Sequence, residues 1–573
     1  SAFENLAGAA GNDSFTFNAG GSLASAVDGG GGSNSLVLNT GDDDITLSAT
    51  SDTVGYSGEA RDLNLGTLVT GFSNITSLDA GAGDNVLTGL DATANWTIAA
   101  AGIYSTGTSP NERTLNFASI DTVAGGSGAD TFRFNEDLAI VADGRGGVDT
   151  IEVSNATVEL TAPITADGFS GDVGLASFDG INAVVGTSGT NTLQRETGGG
   201  NATWTLNATS GNSFSEAGQT LTFSGMLNLI GGDASDSFNI TGSNSVNITA
   251  DGGDDVFNFL DNAAEITGTI DAGTGNDTLS FSGVTSGVTV DLASLTDFET
   301  IIGGSGNDTL VGDGGNNQFQ ITSVGAGVVT DLSVNFQDFE TLQGAGGDDT
   351  FALTNGATIG RVDGQAGNDT IDLTAYTTAR AVVLAGSASD GFNGTEAAVG
   401  TFAGITTIDL NNGVSGNSLA GLNNDSVWDL DATPTYTSSS RVLNFSGMGS
   451  IAGGSANDIF NVGVGGATLD VNGGAGDDEL VIADQENLTG TFDGGEGFDT
   501  IDLSAYATST TFTVLDHGTD NGFMLNSTGL TGAADNVDTV IGGSATDEVV
   551  GLNQQSAWSL STIDDTVDQY FTQ

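Results

Sequence analysis

The residues of this chain best suited to chemistry are aspartates that end glycine turns. The pattern Gly-Gly-x-Gly-x-Asp occurs exactly at 125–130, 303–308, 473–478 and 494–499. Near copies end at Asp13, Asp149, Asp236, Asp277, Asp349, Asp369, Asp458 and Asp547. Glycine lets the backbone turn through positive φ, and aspartate supplies a hard oxygen of the kind calcium prefers. A second carboxylate often precedes the glycine pair or its remnant, at Asp28, Asp143, Asp251, Asp271, Asp363 and Asp493, and Asp313 lies in the turn directly after Asp308. Calcium takes six to eight oxygens from carboxylates and carbonyls. Carboxylates on successive turns, completed by glycine carbonyls, could share an ion. The candidate ligands are Asp130, Asp143, Asp149, Asp251, Asp271, Asp277, Asp308, Asp313, Asp363, Asp369, Asp478, Asp493 and Asp499. The competing account is that Asp and Asn favour turns by bonding their own backbone. That account is the expected one where Asn34 and Asn85 hold the ligand position.

Other reactive constellations are thin. His517 is the single histidine, and acid pairs such as Asp254-Asp255 arise by chance among 74 acidic residues. Tryptophans at regular spacing read as a core column before they read as a sugar-stacking surface. Asn-x-Thr sequons largely coincide with the Asn-Asp-Thr of the turns and say little about glycosylation.

The elements that must carry these turns are short strands. Asp236–Ile240 alternates polar and apolar residues, as a half-buried strand does, and a second strand is expected at Val246–Thr249. Turns begin at Gly231, Gly252 and Ala272, and again at Gly453, Gly473 and Gly494, which sets a coil of about 20 residues. Helix signals are missing, with glycine every few residues. Stacked coils would place each strand in parallel beside its copy one coil on. A longer period of about 110 residues follows the tryptophans in Asn95–Ile98, Thr203–Leu206, Val427–Leu430 and Ala557–Leu560, with Phe319 standing in for a fifth. A Leu-Asn-Phe type of strand follows at Leu115–Phe117, Leu221–Phe223, Val334–Phe336 and Leu443–Phe445. The expected fold is all-β: a right-handed parallel β-solenoid (β-roll or β-helix). Its five repeat units would be residues 1–124, 125–230, 231–343, 344–452 and 453–573.

The turns resemble the RTX, or haemolysin-type, calcium-binding repeats of secreted bacterial proteins. The tandem nonapeptide form is clearest in Gly303–Val311 followed by Gly312–Gln320. The resemblance covers the glycine turns and the strands after them; the tryptophan coils between do not match. It implies calcium held in the turns and an extracellular or cell-surface location, bacterial in origin.

Composition narrows the function. A formal net charge of −66, with arginine supplying all 8 basic residues, repels nucleic acid and anionic membranes. Hydrophobic residues at 37 %, including 29 phenylalanines, argue against disorder. Cysteine is absent, so disulfides and thiolate metal sites are excluded. No apolar run is long enough for a membrane-spanning helix. The expectation is a non-enzymatic extracellular structural protein: a filament, surface-layer element or adhesin shaft stabilised by calcium. The alternatives are a calcium-dependent carbohydrate-binding module and a β-helix enzyme acting on acidic polysaccharide. Such an enzyme would need a cationic cleft for uronate carboxylates, which eight scattered arginines do not supply. Expected partners are copies of the chain stacked head to tail or neighbouring repeats of a longer chain, because the sequence starts near the phase at which it stops. Cell-surface polysaccharide is a further candidate.

Overall fold

The computed structural model describes residues 3–51, 54–64, 66–108, 110–164, 167–520, 522–552 and 569–570. The tryptophan strand expected at Ala557–Leu560 lies outside the described residues. Among the described residues, regular structure is β-strand apart from one short 3-10 turn at Leu292–Ser294. Contacts divide the chain into two compact units, Ser1–Gly283 with Thr296–Phe298, and Val284–Leu295 with Glu299–Gln573.

In the first unit the strands expected from alternation form as read. Ser237–Thr241 buries Phe238 and Ile240, and Asn247–Asp251 buries Ile248 and Ala250. Ser237–Thr241 pairs in parallel with Val256–Phe259, which pairs in parallel with Thr278–Ser280. On the other side of the same coils, Asn228–Gly232 pairs in parallel with Asn247–Asp251. Stacking in register puts identical side chains above one another, so the Phe238 and Phe257 rings lie 4.8 Å apart and 8° from parallel. The second unit is built the same way. Asp458–Val462, Glu479–Ile482 and Thr500–Asp502 form one parallel ladder. Ser450–Gly454, Asp470–Ala475 and Phe492–Glu496 form another.

The purely parallel stack expected from the sequence is interrupted. Each of the three described tryptophan strands opens a three-stranded antiparallel meander that ends in the Leu-Asn-Phe type of strand. Ala94–Ile98 pairs with Gly102–Thr106 and that with Arg113–Ala118. Ala202–Asn207, Asn212–Glu216 and Gln219–Ser224 repeat the arrangement, as do Ser426–Leu430, Thr435–Ser438 and Arg441–Ser446. The middle strand places an aromatic ring across from the indole. Trp96 meets Tyr104 at 4.4 Å, Trp204 meets Phe214 at 4.6 Å, and Trp428 meets Tyr436 at 4.4 Å. Each indole also stacks on the phenylalanine of its parallel neighbour: Phe132, Phe238 or Phe460. Phe319 occupies the same place and stacks on Phe351. Further meanders use Gly-rich strands, such as Ala381–Ser387, Phe392–Glu396 and Gly400–Leu410. Alternation with period two is common to parallel and antiparallel strands, so the pattern alone does not reveal the direction of the middle strand.

Candidate functional site: two rows of turn carboxylates

In each unit the glycine turns bring their terminal aspartates into a buried row. Asp149, Asp255, Asp277, Asp308, Asp349, Asp369, Asp458 and Asp499 are fully buried, and Asp130, Asp236 and Asp478 nearly so. The reason is local: each of these aspartates, or the residue after it, starts a strand, and where a glycine stands five residues earlier the turn tucks the carboxyl against it. There Oδ1 accepts the backbone N–H of the equivalent residue one coil earlier. Asp255 takes the N–H of Asp236 at 2.7 Å, and Asp277 that of Asp255 at 2.7 Å. Asp369 takes that of Asp349 at 2.9 Å, Asp478 that of Asp458 at 2.7 Å, and Asp499 that of Asp478 at 2.9 Å. In Asp149, Asp236 and Asp308 the same oxygen serves Asp130, Ala202 and Val288.

The preceding residue of the turn forms a second, exposed row that reaches the opposite way. Asp254 accepts the N–H of Asn276, Asn316 that of Asp348, Asp348 that of Asn368, and Asp477 that of Phe498. Adjacent side chains, one buried and one exposed, thus tie a coil to the coil before it and the coil after it. These bonds satisfy turn N–H groups that no strand ladder reaches.

The second oxygen of the buried row has two environments. In Asp130 and Asp308, Oδ2 accepts the N–H of Gly126 and Gly304, at 3.1 and 2.7 Å. In Asp149, Asp236, Asp255, Asp349, Asp369, Asp458, Asp478 and Asp499, Oδ2 is sealed from solvent and has no hydrogen-bond partner. Burial pushes these carboxyls up from the ordinary 3.8, and donation to Oδ1 only partly opposes it. Asp236, Asp255, Asp349, Asp478 and Asp499 rise to about 7, and Asp149 and Asp458 to about 6.

The thirteen aspartates read from the sequence separate into two sets. Asp130, Asp149, Asp277, Asp308, Asp369, Asp478 and Asp499 belong to the buried row. Asp143, Asp251, Asp271, Asp313, Asp363 and Asp493 stay partly or fully exposed at the coil edge. There Asp143 accepts the N–H of Arg145, Asp313 that of Gly315, Asp363 a bond from the Arg361 guanidinium, and Asp493 one from the Asn536 amide. Asp255, Asn191 and Asn417 were missed, and Asn34 and Asn85 were placed in the row but read as bonding only their own turn. Asn34, Asn85, Asn191 and Asn417 are not plain turns: each is buried, and its Oδ1 accepts an N–H from the preceding coil exactly as the aspartates do. The signal for them was the constant spacing to the strand that follows.

Calcium fits this buried row poorly. Most of its carboxyls have one oxygen engaged by a backbone N–H and the other closed in, and Asp308 has both engaged, whereas calcium needs six to eight oxygens free to turn toward it. Among the described residues no cluster of three or more acidic or histidine side chains is arranged to hold a metal. The sugar-stacking face is likewise not offered by Trp96, Trp204 or Trp428, which are fully buried. Compared with known proteins, the sequence matches no protein-family model and no curated protein. The resemblance to RTX repeats rests on the turn motif alone.

Proposed function

We propose that this chain is an extracellular structural protein, a right-handed β-solenoid that serves as the shaft of a filament, surface layer or adhesin. One observation carries the reading: the turn side chains are committed to the neighbouring coil. The buried row reaches back, the exposed row reaches forward, and the aromatic rings stack between coils. Polar groups used in this way hold a repeat together and leave little for a substrate. A coil built to receive another coil on either side also suits end-to-end association, with copies of the same chain or with further repeats of a longer one. Such heterologous contacts do not close and so extend into filaments. Calcium enters this proposal as a diffuse counter-ion for the exposed acids, whose charge would otherwise oppose lateral packing.

Imaging of the purified chain across a concentration series, with mass measured under denaturing conditions, tests the reading. End-to-end particles that lengthen with concentration support it. A monodisperse particle that binds or cleaves an acidic polysaccharide would overturn it in favour of a carbohydrate-active role.

A further inference from the structure

The unpartnered oxygens of the buried row face other oxygens. An alanine methyl at Gly473 would stand 2.3 Å from Asp478 Oδ2 and 2.5 Å from the carbonyl oxygen of Gly494, one coil on. The corresponding point at Gly453 is flanked by Asp458 Oδ2 and Gly473 O, at 2.2 and 2.6 Å. At Gly344 it is flanked by Asp349 Oδ2 and Gly364 O, at 2.0 and 2.7 Å, and at Gly494 by Asp499 Oδ2 and Asn536 O, at 2.5 and 2.6 Å. Two oxygens turned toward each other in a sealed space repel unless something electropositive lies between them.

Four asparagine copies show what that is, whereas Asn317 turns its amide to Asp313 and Asp331 instead. At Gly29 the same point is flanked by Asn34 Nδ2 and Asn74 O, both at 2.5 Å, and at Gly186 by Asn191 Nδ2 and Gly225 O, at 2.4 and 2.2 Å. There the amide donates to the carbonyl of the later coil: Asn34 to Asn74 at 3.0 Å, Asn85 to Ser119 at 2.9 Å, Asn191 to Gly225 at 3.1 Å and Asn417 to Gly447 at 2.9 Å. Asparagine has the shape of a protonated aspartate, with a donor where the acid carries its O–H. We infer that Asp349, Asp458, Asp478 and Asp499 are held in the folded chain as neutral carboxylic acids, each donating its Oδ2 proton to a backbone carbonyl of the following coil. The bound ligand of the glycine turn is on this reading a proton rather than a calcium ion.

The surrounding charges act in the same direction. The charged groups acting on Asp458, Asp478 and Asp499 are Asp425, Asp477, Asp538 and, within the row, Asp458 and Asp478. Those acting on Asp349 are Asp313, Asp331 and Asp369. All are acids, so each disfavours a further negative charge. A carboxyl whose folded value lies above its unfolded value holds extra protons in the folded state. Its contribution to stability is complete below the unfolded value of 3.8 and is lost as pH rises through about 6 to 7. The inference does not depend on the filament reading.

The test is the melting temperature of the full chain between about pH 5 and pH 8, with calcium or with a chelator, for the parent and for the triple variant Asp458→Asn, Asp478→Asn and Asp499→Asn. The parent should melt lower at the higher pH, equally with calcium and with chelator. The variant, whose amides supply the donor at every pH, should match the parent at low pH, exceed it at high pH and show a flatter profile. An infrared band of protonated carboxyl at about pH 5 should weaken in the variant. Calcium-dependent melting that the variant loses would overturn the inference and place the metal in the row. A variant less stable than the parent throughout the range, or a parent indifferent to pH, would overturn it as well.

Discussion

Replacing Gly473 by alanine should destabilise its coil although the backbone there permits any residue. Gly473 lies within the strand Asp470–Ala475 and is not among the glycines at positive φ, so alanine brings no torsional strain. What it brings is a methyl group 2.3 Å from Asp478 Oδ2 and 2.5 Å from Gly494 O, where ordinary contact begins near 3.4 Å. The carboxyl must move by about an ångström, which is overpacking at roughly 1–3 kcal/mol. That movement also pulls Oδ1 from the buried N–H of Asp458, now bonded at 2.7 Å. An unsatisfied buried donor costs about 1–3 kcal/mol more. The control is Gly356→Ala, where φ is 86° and no atom lies within 4 Å of the new methyl. Only the left-handed backbone penalty applies there, about 1–2 kcal/mol. Because coils contact only their neighbours, the loss should be local. Native-state hydrogen exchange at the Asp458 amide reads it directly, and a melt of the second unit reads it in aggregate. Adding Asp478→Ala should relieve the clash, so the pair should cost less than the two single changes together. A Gly473→Ala chain no less stable than Gly356→Ala, with Asp458 equally protected, would refute the claim that the carboxyl occupies the space of the missing side chain.

Trp428→Ala should cost about 3–5 kcal/mol within its own coils, because the indole is fully buried against Tyr436, Phe445 and Phe460; a parent emission spectrum typical of water-exposed indole would contradict this burial. Glu216→Ala should destabilise the first unit by about 3–5 kcal/mol, seen in its melt. The change takes from the buried Arg195 guanidinium the acid that binds it through both oxygens at 2.6 and 3.0 Å and leaves it only the partly exposed Glu196 as an acid partner; a near-neutral effect would show that the pair is dispensable. Asn417→Asp is the reciprocal of the triple variant. It removes the amide donations to Asn411 and Gly447, and the loss should be largest above neutral pH and recover as acid restores a donor. A loss independent of pH would count against a proton in this position.

Much of the fold was legible because one-dimensional repetition writes itself into spacing. The strand after each glycine turn, the inward alternation of Phe238 with Ile240, and Phe319 in place of a tryptophan could all be read without coordinates. The meanders could not. Tyr104, Phe214 and Tyr436 mark the middle strands, but an alternating strand carries no label for its direction, which depends on the partner it meets. The candidate site was half legible. The turn aspartates were found, while their chemistry was not, since Asp477 and Asp478 are identical in type and adjacent. One is exposed and accepts from the later coil; the other is buried and accepts from the earlier one.

The sequence by itself determined where the turns fall, which residues line the core and that acids end the turns, because each of these follows from local backbone preference and the period of apolar side chains. Only the tertiary structure decided what the first glycine is for. Its absent side chain was read as freedom for positive φ, yet Gly303, Gly473 and Gly494 are not at positive φ. They are glycine because a carboxyl from their own turn and a carbonyl from the next coil fill the place of a Cβ. Whether that carboxyl is a metal ligand or a proton donor depends on the oxygen it faces, and that oxygen belongs to a residue distant in sequence.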